Sequence, residues 1–135
     1  MTTTNDKVVF DTGAFSLFFA GDERVKGYFE SMFAEESVGL TVGIVIAKFQ
    51  YKVCQKLGKE VARDRGARIR TSNMEISPTD ELASEAWLTK CRYGNLLSIV
   101  DCFAYALGKK EDALILTTDS AFKELDVKVE WFEVL

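Results

Sequence analysis

At 135 residues, with 47% hydrophobic and 28% charged side chains, the chain is sized and balanced for one domain around a single core. One proline, nine scattered glycines and no low-complexity tract or internal repeat leave nothing to divide it, so residues 1–135 are expected to form one domain. Histidine is absent, which excludes His-based triads, His–Zn sites and His general bases, while the net charge of −4 argues against a nucleic-acid partner only until it is mapped along the chain.

Val8-Val9-Phe10 is a short apolar run that stops at Asp11 and predicts a first buried strand over 8–10. Residues 12–20 follow as a helix, with Phe15, Phe18 and Phe19 on one face at i, i+3 and i+4. Asp22 is placed to cap a second helix over 23–35, and 38–42 predicts a second strand. From 43 to 57 the residues Val45, Ile46, Phe49 and Val53 line one helical face, and Gly58 supplies a stop. Residues 59–69 form a basic helix. A short third strand over 73–76 precedes Ser77-Pro78-Thr79 and a helix over 80–91. Ser98 begins the next helix, with Val100, Phe103, Ala104 and Leu107 inward. Residues 113–117 are a strand, 120–125 a single helical turn and 127–134 a closing strand. Strands alternating with helices imply parallel pairing through right-handed crossovers. The predicted fold class is α/β, a three-layer α/β/α sandwich.

The polar stretch 1–7 lacks the apolar core of a secretory signal, and no segment approaches ~18 uninterrupted apolar residues, so neither export nor membrane insertion is expected. Cys54, Cys91 and Cys102 are odd in number and never spaced as Cys-x-x-Cys. They are expected as buried free thiols in a reducing, cytoplasmic setting.

Asp11, Asp101 and Asp119 each stand where an apolar run ends or a helix begins. In an α/β sheet such positions gather at the carboxyl edge of the strands, where open sheets bind ligands. Carboxylates drawn together repel unless a cation sits between them, and oxygen-only ligation suits Mg²⁺ or Mn²⁺. Each aspartate also fits a cap: Asp11 ahead of Thr12-Gly13, Asp101 in a Ser-x-x-Asp capping box from Ser98, Asp119 ahead of Ser120. The constellation is more specific than its parts. Thr12 and Thr117 are placed to orient these carboxylates through their hydroxyls.

The charge is unevenly spread. Between Lys48 and Arg70 eight bases face two acids, a local +6 that leaves −10 for the remainder. Such asymmetry points to an anionic partner on one side, against the plainer reading of a solvated helical face. At about 100° per residue, Lys48, Lys52, Gln55 and Lys59 project on one stripe, a rail for backbone phosphates that Arg63 would extend.

A strand followed by Asp-Thr, a central helix, Leu-Ser-x-x-Asp, and a strand leading to Thr-x-Asp with a following Phe together resemble the PIN domain, named after the PilT amino terminus and including the VapC-type toxins. The matching pieces are residues 8–12, 41–49, 97–101 and 115–122. The resemblance implies a metal-dependent endoribonuclease with a parallel sheet, in which four acidic residues hold one or two Mg²⁺ or Mn²⁺ ions. Asp11, Asp101 and Asp119 match three of those positions as metal ligands. The fourth, a glutamate in the family, falls at Lys48. The resemblance further implies an RNA substrate, homodimers and, for toxin members, a small antitoxin protein that covers the cleft. The aromatic region from Phe15 to Phe33 is the expected contact.

Lys48 departs from that pattern in a way that electrostatics can address. Four carboxylates balance two divalent ions; three carboxylates and an ammonium carry −2, enough for one. An ammonium beside the site repels a cation by on the order of several kcal/mol at an effective dielectric constant near 20. The expectation is loss of any second ion and weaker binding of the first. Alternatively Lys48 takes the second ion's place against a phosphate oxygen, or the domain binds RNA or protein without cutting; nothing in the spacing favours Glu75 or Asp80 as a substitute acid. A phospho-acceptor signalling domain also gathers acids at strand ends. It pairs two adjacent acids after the first strand, whereas Thr12 follows Asp11 here.

Overall fold

The computed structural model describes residues 6–135. Most of the polar amino-terminal stretch read above, residues 1–5, lies outside them. Five strands form one all-parallel sheet in the order β3-β2-β1-β4-β5. They are β1 (Lys7–Phe10), β2 (Val38–Val42), β3 (Glu75–Ser77), β4 (Leu114–Thr117) and β5 (Val129–Trp131). Six helices flank the sheet: α1 (Thr12–Phe19), α2 (Glu23–Phe33), α3 (Gly43–Leu57), α4 (Lys59–Thr71), α5 (Thr79–Tyr93) and α6 (Ile99–Glu111). From β1 through β2 to β3 the chain steps one way across the sheet, and it then returns past β1 to β4. Right-handed connections therefore place α1 to α4 on one face and α5 with α6 on the other. The three-layer α/β/α arrangement expected from the sequence is present.

Because helices cover both faces, the central strands carry continuous apolar runs. Val8, Val9 and Phe10 are all buried, as are Leu40 and Val42, and Ile115 and Leu116. On the α1–α4 face, Phe10, Phe15, Phe29 and Phe49 pack as an aromatic cluster, with the Phe10 and Phe29 rings 4.5 Å apart. Complete burial of such a side chain contributes about 1.5–3 kcal/mol. Cys102, Ala104, Leu107 and Leu97 fill the opposite face, where α6 is buried along most of its length.

Phe15 is buried while Phe18 and Phe19 are only partly so, since one short helix cannot turn three rings into the same core. Several local expectations need correction. Of the three thiols only Cys102 is buried; Cys91 is exposed on α5. The closing strand is confined to Val129–Trp131, since β5 is an edge strand whose ladder ends where the Phe132 amide donates to the Thr117 carbonyl. The basic stripe is interrupted: Gly58, at φ 91°, ends α3, so Lys59 opens a new helix instead of continuing the Lys48–Lys52 row. Among the described residues no helix is long and apolar enough to cross a membrane.

Candidate metal centre

The carboxyl ends of β1 and β4, neighbours in the sheet, deliver two of the aspartates. Asp11 follows β1, and its amide donates to the Leu116 carbonyl at 3.1 Å, so the ladder fixes its backbone. It occupies the cap position of α1 without capping it: its side chain takes no cap hydrogen bond. Instead Asp11 Oδ2 accepts from the Thr117 hydroxyl at 2.8 Å, and Asp11 Oδ1 is buried without a partner. Thr117, the last residue of β4, also accepts the Asp119 amide at 3.1 Å. One hydroxyl thus joins two of the acids, which is the orienting role expected of it. Thr12 differs, for its Oγ1 is buried and unpartnered.

Asp119 and Asp101 do cap helices. Asp119 Oδ1 accepts the Ala121 amide at 2.9 Å, at the start of a 3₁₀ turn over Ser120–Glu124. Ser98 and Asp101 form the reciprocal capping box of α6. Capping does not remove Asp101 from the site. The Asp11 charge and the neighbouring Asp119 side chain both act on its carboxyl. The three acids therefore face one another at the carboxyl edge of the sheet.

Lys48 joins them. The helix α3 leaves β2 with no intervening loop, and β2 is tied to β1 where the Thr41 hydroxyl donates to the Phe10 carbonyl at 2.9 Å. From the second turn of α3, Lys48 Nζ reaches to 3.9 Å from Asp101 Oδ1 and donates to Ser98 Oγ at 3.4 Å. Ser98 is a neighbour of Lys48 that the sequence exposes only as a cap. Glu75 lies at the far end of β3 from this edge, and Asp80 is exposed in the first turn of α5.

Burial dominates the electrostatics. It pushes the Asp101 carboxyl up to about 7, with the Asp11 charge and the neighbouring Asp119 side chain acting the same way and Lys48 and Ser98 opposing. Asp11 is raised too, chiefly by burial, against hydrogen bonds from the Thr12 backbone and the Thr117 hydroxyl and the charge of Lys48.

Among the described residues no group of three or more acidic or Cys side chains is gathered closely enough to grip a metal as it stands. The donor chemistry nevertheless suits a hard cation: it is all-oxygen, and Asp11 Oδ1 and the adjacent Thr12 Oγ1 are buried without a partner.

A cleft of about 700 Å³ opens beside these residues, and Gly13 and Thr118, next in sequence to Thr12 and Asp119, line it. A side chain at Gly13 would run into Thr118, so glycine permits α1 to start against the segment that follows β4. Lys52, Lys56 and Arg65 add positive charge to the cleft. Lys56, one turn beyond Lys52, was accessible to helical spacing. Arg65 arrives only through the packing of α4 on α3, its guanidinium 5.2 Å from the Phe19 ring. Lys59 and Arg63 lie on α4 outside the cleft lining, and Arg63 pairs with Glu60 at 2.9 Å.

The PIN domain sequence profile matches residues 8–128. No significant match was found among curated proteins. Among solved structures, VapBC2 of Rickettsia felis, bound to a DNA fragment from its promoter, matches at 18% identity over 94% of this chain and 99% of that one, with a TM-score of 0.71. A toxin–antitoxin complex from Klebsiella pneumoniae matches at 14% identity over 94% and 99% of the two chains, with a TM-score of 0.68. The Mycobacterium tuberculosis toxin VapC20, which cleaves the sarcin–ricin loop, matches at 20% identity over 80% and 86%, with a TM-score of 0.64. At such identities these likenesses concern the fold, while the profile covers nearly the whole chain: the protein belongs to the PIN domain family.

Proposed function

We propose that the protein is a Mg²⁺- or Mn²⁺-dependent endoribonuclease, the toxin of a toxin–antitoxin pair. The observation that carries this reading is the buried, unpartnered Asp11 Oδ1 at the carboxyl edge of the sheet, on a residue whose charge acts on Asp101 and is acted on by Asp119. Asp11, Asp101 and Asp119 would hold the cation, and when bound it would lower the pKa of water and offset charge on the phosphate. Thr117 fixes the orientation of Asp11 and the backbone of Asp119, and the Lys48 ammonium is placed to steady a phosphate oxygen. Lys52, Lys56 and Arg65 line the adjoining cleft as contacts for the RNA backbone, with Lys59 and Arg63 extending the basic surface on α4.

Membership of the family and neighbours that include a toxin–antitoxin complex support a protein partner. Phe18, Phe19 and Phe33 surround an apolar pocket of about 230 Å³ between α1, α2 and α4, the part of the surface best suited to an antitoxin segment. A homodimer is proposed on family membership alone.

A second reading is favoured by one observation. The Lys48 ammonium already stands beside Asp101, so the site is partly neutralised without metal, and the domain would then bind RNA or protein without cutting. Incubating a mixed RNA pool with Mn²⁺ or Mg²⁺ separates the two. Cleavage by the natural chain that is lost in Asp101→Asn supports the nuclease, and cleavage only by Lys48→Glu supports the binding module.

A further inference from the structure

The departure at Lys48 has a definite geometry. Its ammonium lies 3.9 Å from Asp101 Oδ1 and 3.4 Å from Ser98 Oγ, and its charge also acts on Asp11. It therefore faces two of the three acids. The side chain is still 27% exposed, so part of it meets solvent. Beside it, Asp11 Oδ1 and Thr12 Oγ1 are buried without a partner; among the described residues Ser37 Oγ is the other such atom.

Charge balance then limits what the site can load. Three ionised carboxylates and one ammonium carry −2, which one divalent ion neutralises. A second ion would leave a net +2 in a site of low exposure, with two divalent charges and an ammonium repelling one another at short range. The Lys48 ammonium is a tethered monovalent charge that does not exchange with solvent as a bound ion does and brings its own hydrogen-bond donors.

We infer that the Lys48 ammonium stands in for one divalent ion, so that this centre loads a single Mg²⁺ or Mn²⁺ through Asp11, Asp101 and Asp119. The inference rests on the metal-dependent reading above and specifies its stoichiometry. It makes Lys48 a constituent of the centre, not a defect in it.

Mn²⁺ binding to the full chain, counted by the paramagnetic resonance of free Mn²⁺ and by calorimetry, tests this directly. The natural chain is expected to bind one ion, and Asp11→Asn to lose it. Lys48→Gln should still bind one, more tightly by on the order of tenfold or more, because the repelling charge is gone. Lys48→Glu should bind two. Two ions or none in the natural chain, or one in a folded Lys48→Glu, would overturn the inference. If Lys48→Glu does not fold, unchanged affinity in Lys48→Gln overturns it equally. RNA cleavage is scored separately: one bound ion without cleavage refutes the nuclease reading alone, and two bound ions with cleavage refute the inference alone.

Discussion

The Thr117 hydroxyl donates to Asp11 Oδ2 at 2.8 Å across the β1–β4 pairing, and the same oxygen accepts the Asp119 amide. One buried side chain thereby sets the orientation of one acid and the backbone of another. Thr117→Val keeps the shape and removes both bonds. We expect a loss of about 1–3 kcal/mol in unfolding free energy, from leaving buried polar groups unpaired. Divalent-ion affinity should fall about 10- to 100-fold, as for other groups that orient metal ligands. Denaturant unfolding and Mn²⁺ titration measure the two effects. Unchanged Mn²⁺ affinity would show that Thr117 serves the sheet alone.

Asp101 gives the metal-free protein a distinctive pH dependence. Its carboxyl is raised from 3.8 to about 7, first by burial, then by the Asp11 charge and the neighbouring Asp119 side chain. Between those values the folded chain keeps a proton that the unfolded chain has released, so stability falls as pH rises through this window and then levels off. Unfolding free energies in chelator from pH 4 to pH 8 should show that decline, and Asp101→Asn should flatten it. A rise in stability across the same range would contradict the assignment.

A second titration lies at the other end of α6. Asp126 accepts from the Tyr105 hydroxyl at 2.6 Å and from Lys109 at 2.9 Å, and these bonds hold its carboxyl down at about 2. A depressed carboxyl contributes stability above its unfolded value of 3.8, and that contribution disappears as pH falls to about 2. Acid unfolding of Asp126→Asn, followed by circular dichroism, should therefore be less steep between pH 4 and pH 2 than that of the natural chain.

The cleft beside the acids makes a prediction about salt. If RNA lies along Lys52, Lys56 and Arg65, each of Lys52→Gln and Lys56→Gln should lower the slope of log affinity against log salt by about 0.7, the value for a single strand. Arg63→Gln should change it less, since that guanidinium is already engaged by Glu60. Equal effects at all three positions would indicate a diffuse basic surface with no defined path. Binding is best measured with Asp101→Asn, so that cleavage does not intrude.

Much of this architecture was legible in the residues themselves. Val8-Val9-Phe10 and the 114–117 run declared buried parallel strands because helices on both faces leave no polar side to alternate. Asp11 and Asp119 were readable as sharing one edge because they follow β1 and β4, neighbouring strands, whereas Asp101 stands in the first turn of α6. The sequence could not separate capping from ligation, and the structure shows why: Asp101 and Asp119 cap helices and also face the site, whereas Asp11 caps nothing. Helical projection failed at Lys59, where the backbone of Gly58 breaks the row. Arg65 and Ser98 were out of reach of spacing arguments, since each meets its partners only when separate elements pack.

The most direct test of the whole account is a Mn²⁺ titration of the isotopically labelled chain observed by NMR, in which paramagnetic broadening reports which amides lie near the ion. At substoichiometric Mn²⁺ the amides of Asp11, Thr12, Asp101, Cys102 and Asp119 should vanish first and together, and in Asp11→Asn they should persist. Broadening centred elsewhere, for example on Asp80 and Glu81 at the start of α5, would contradict a shared cation at the carboxyl edge of the sheet.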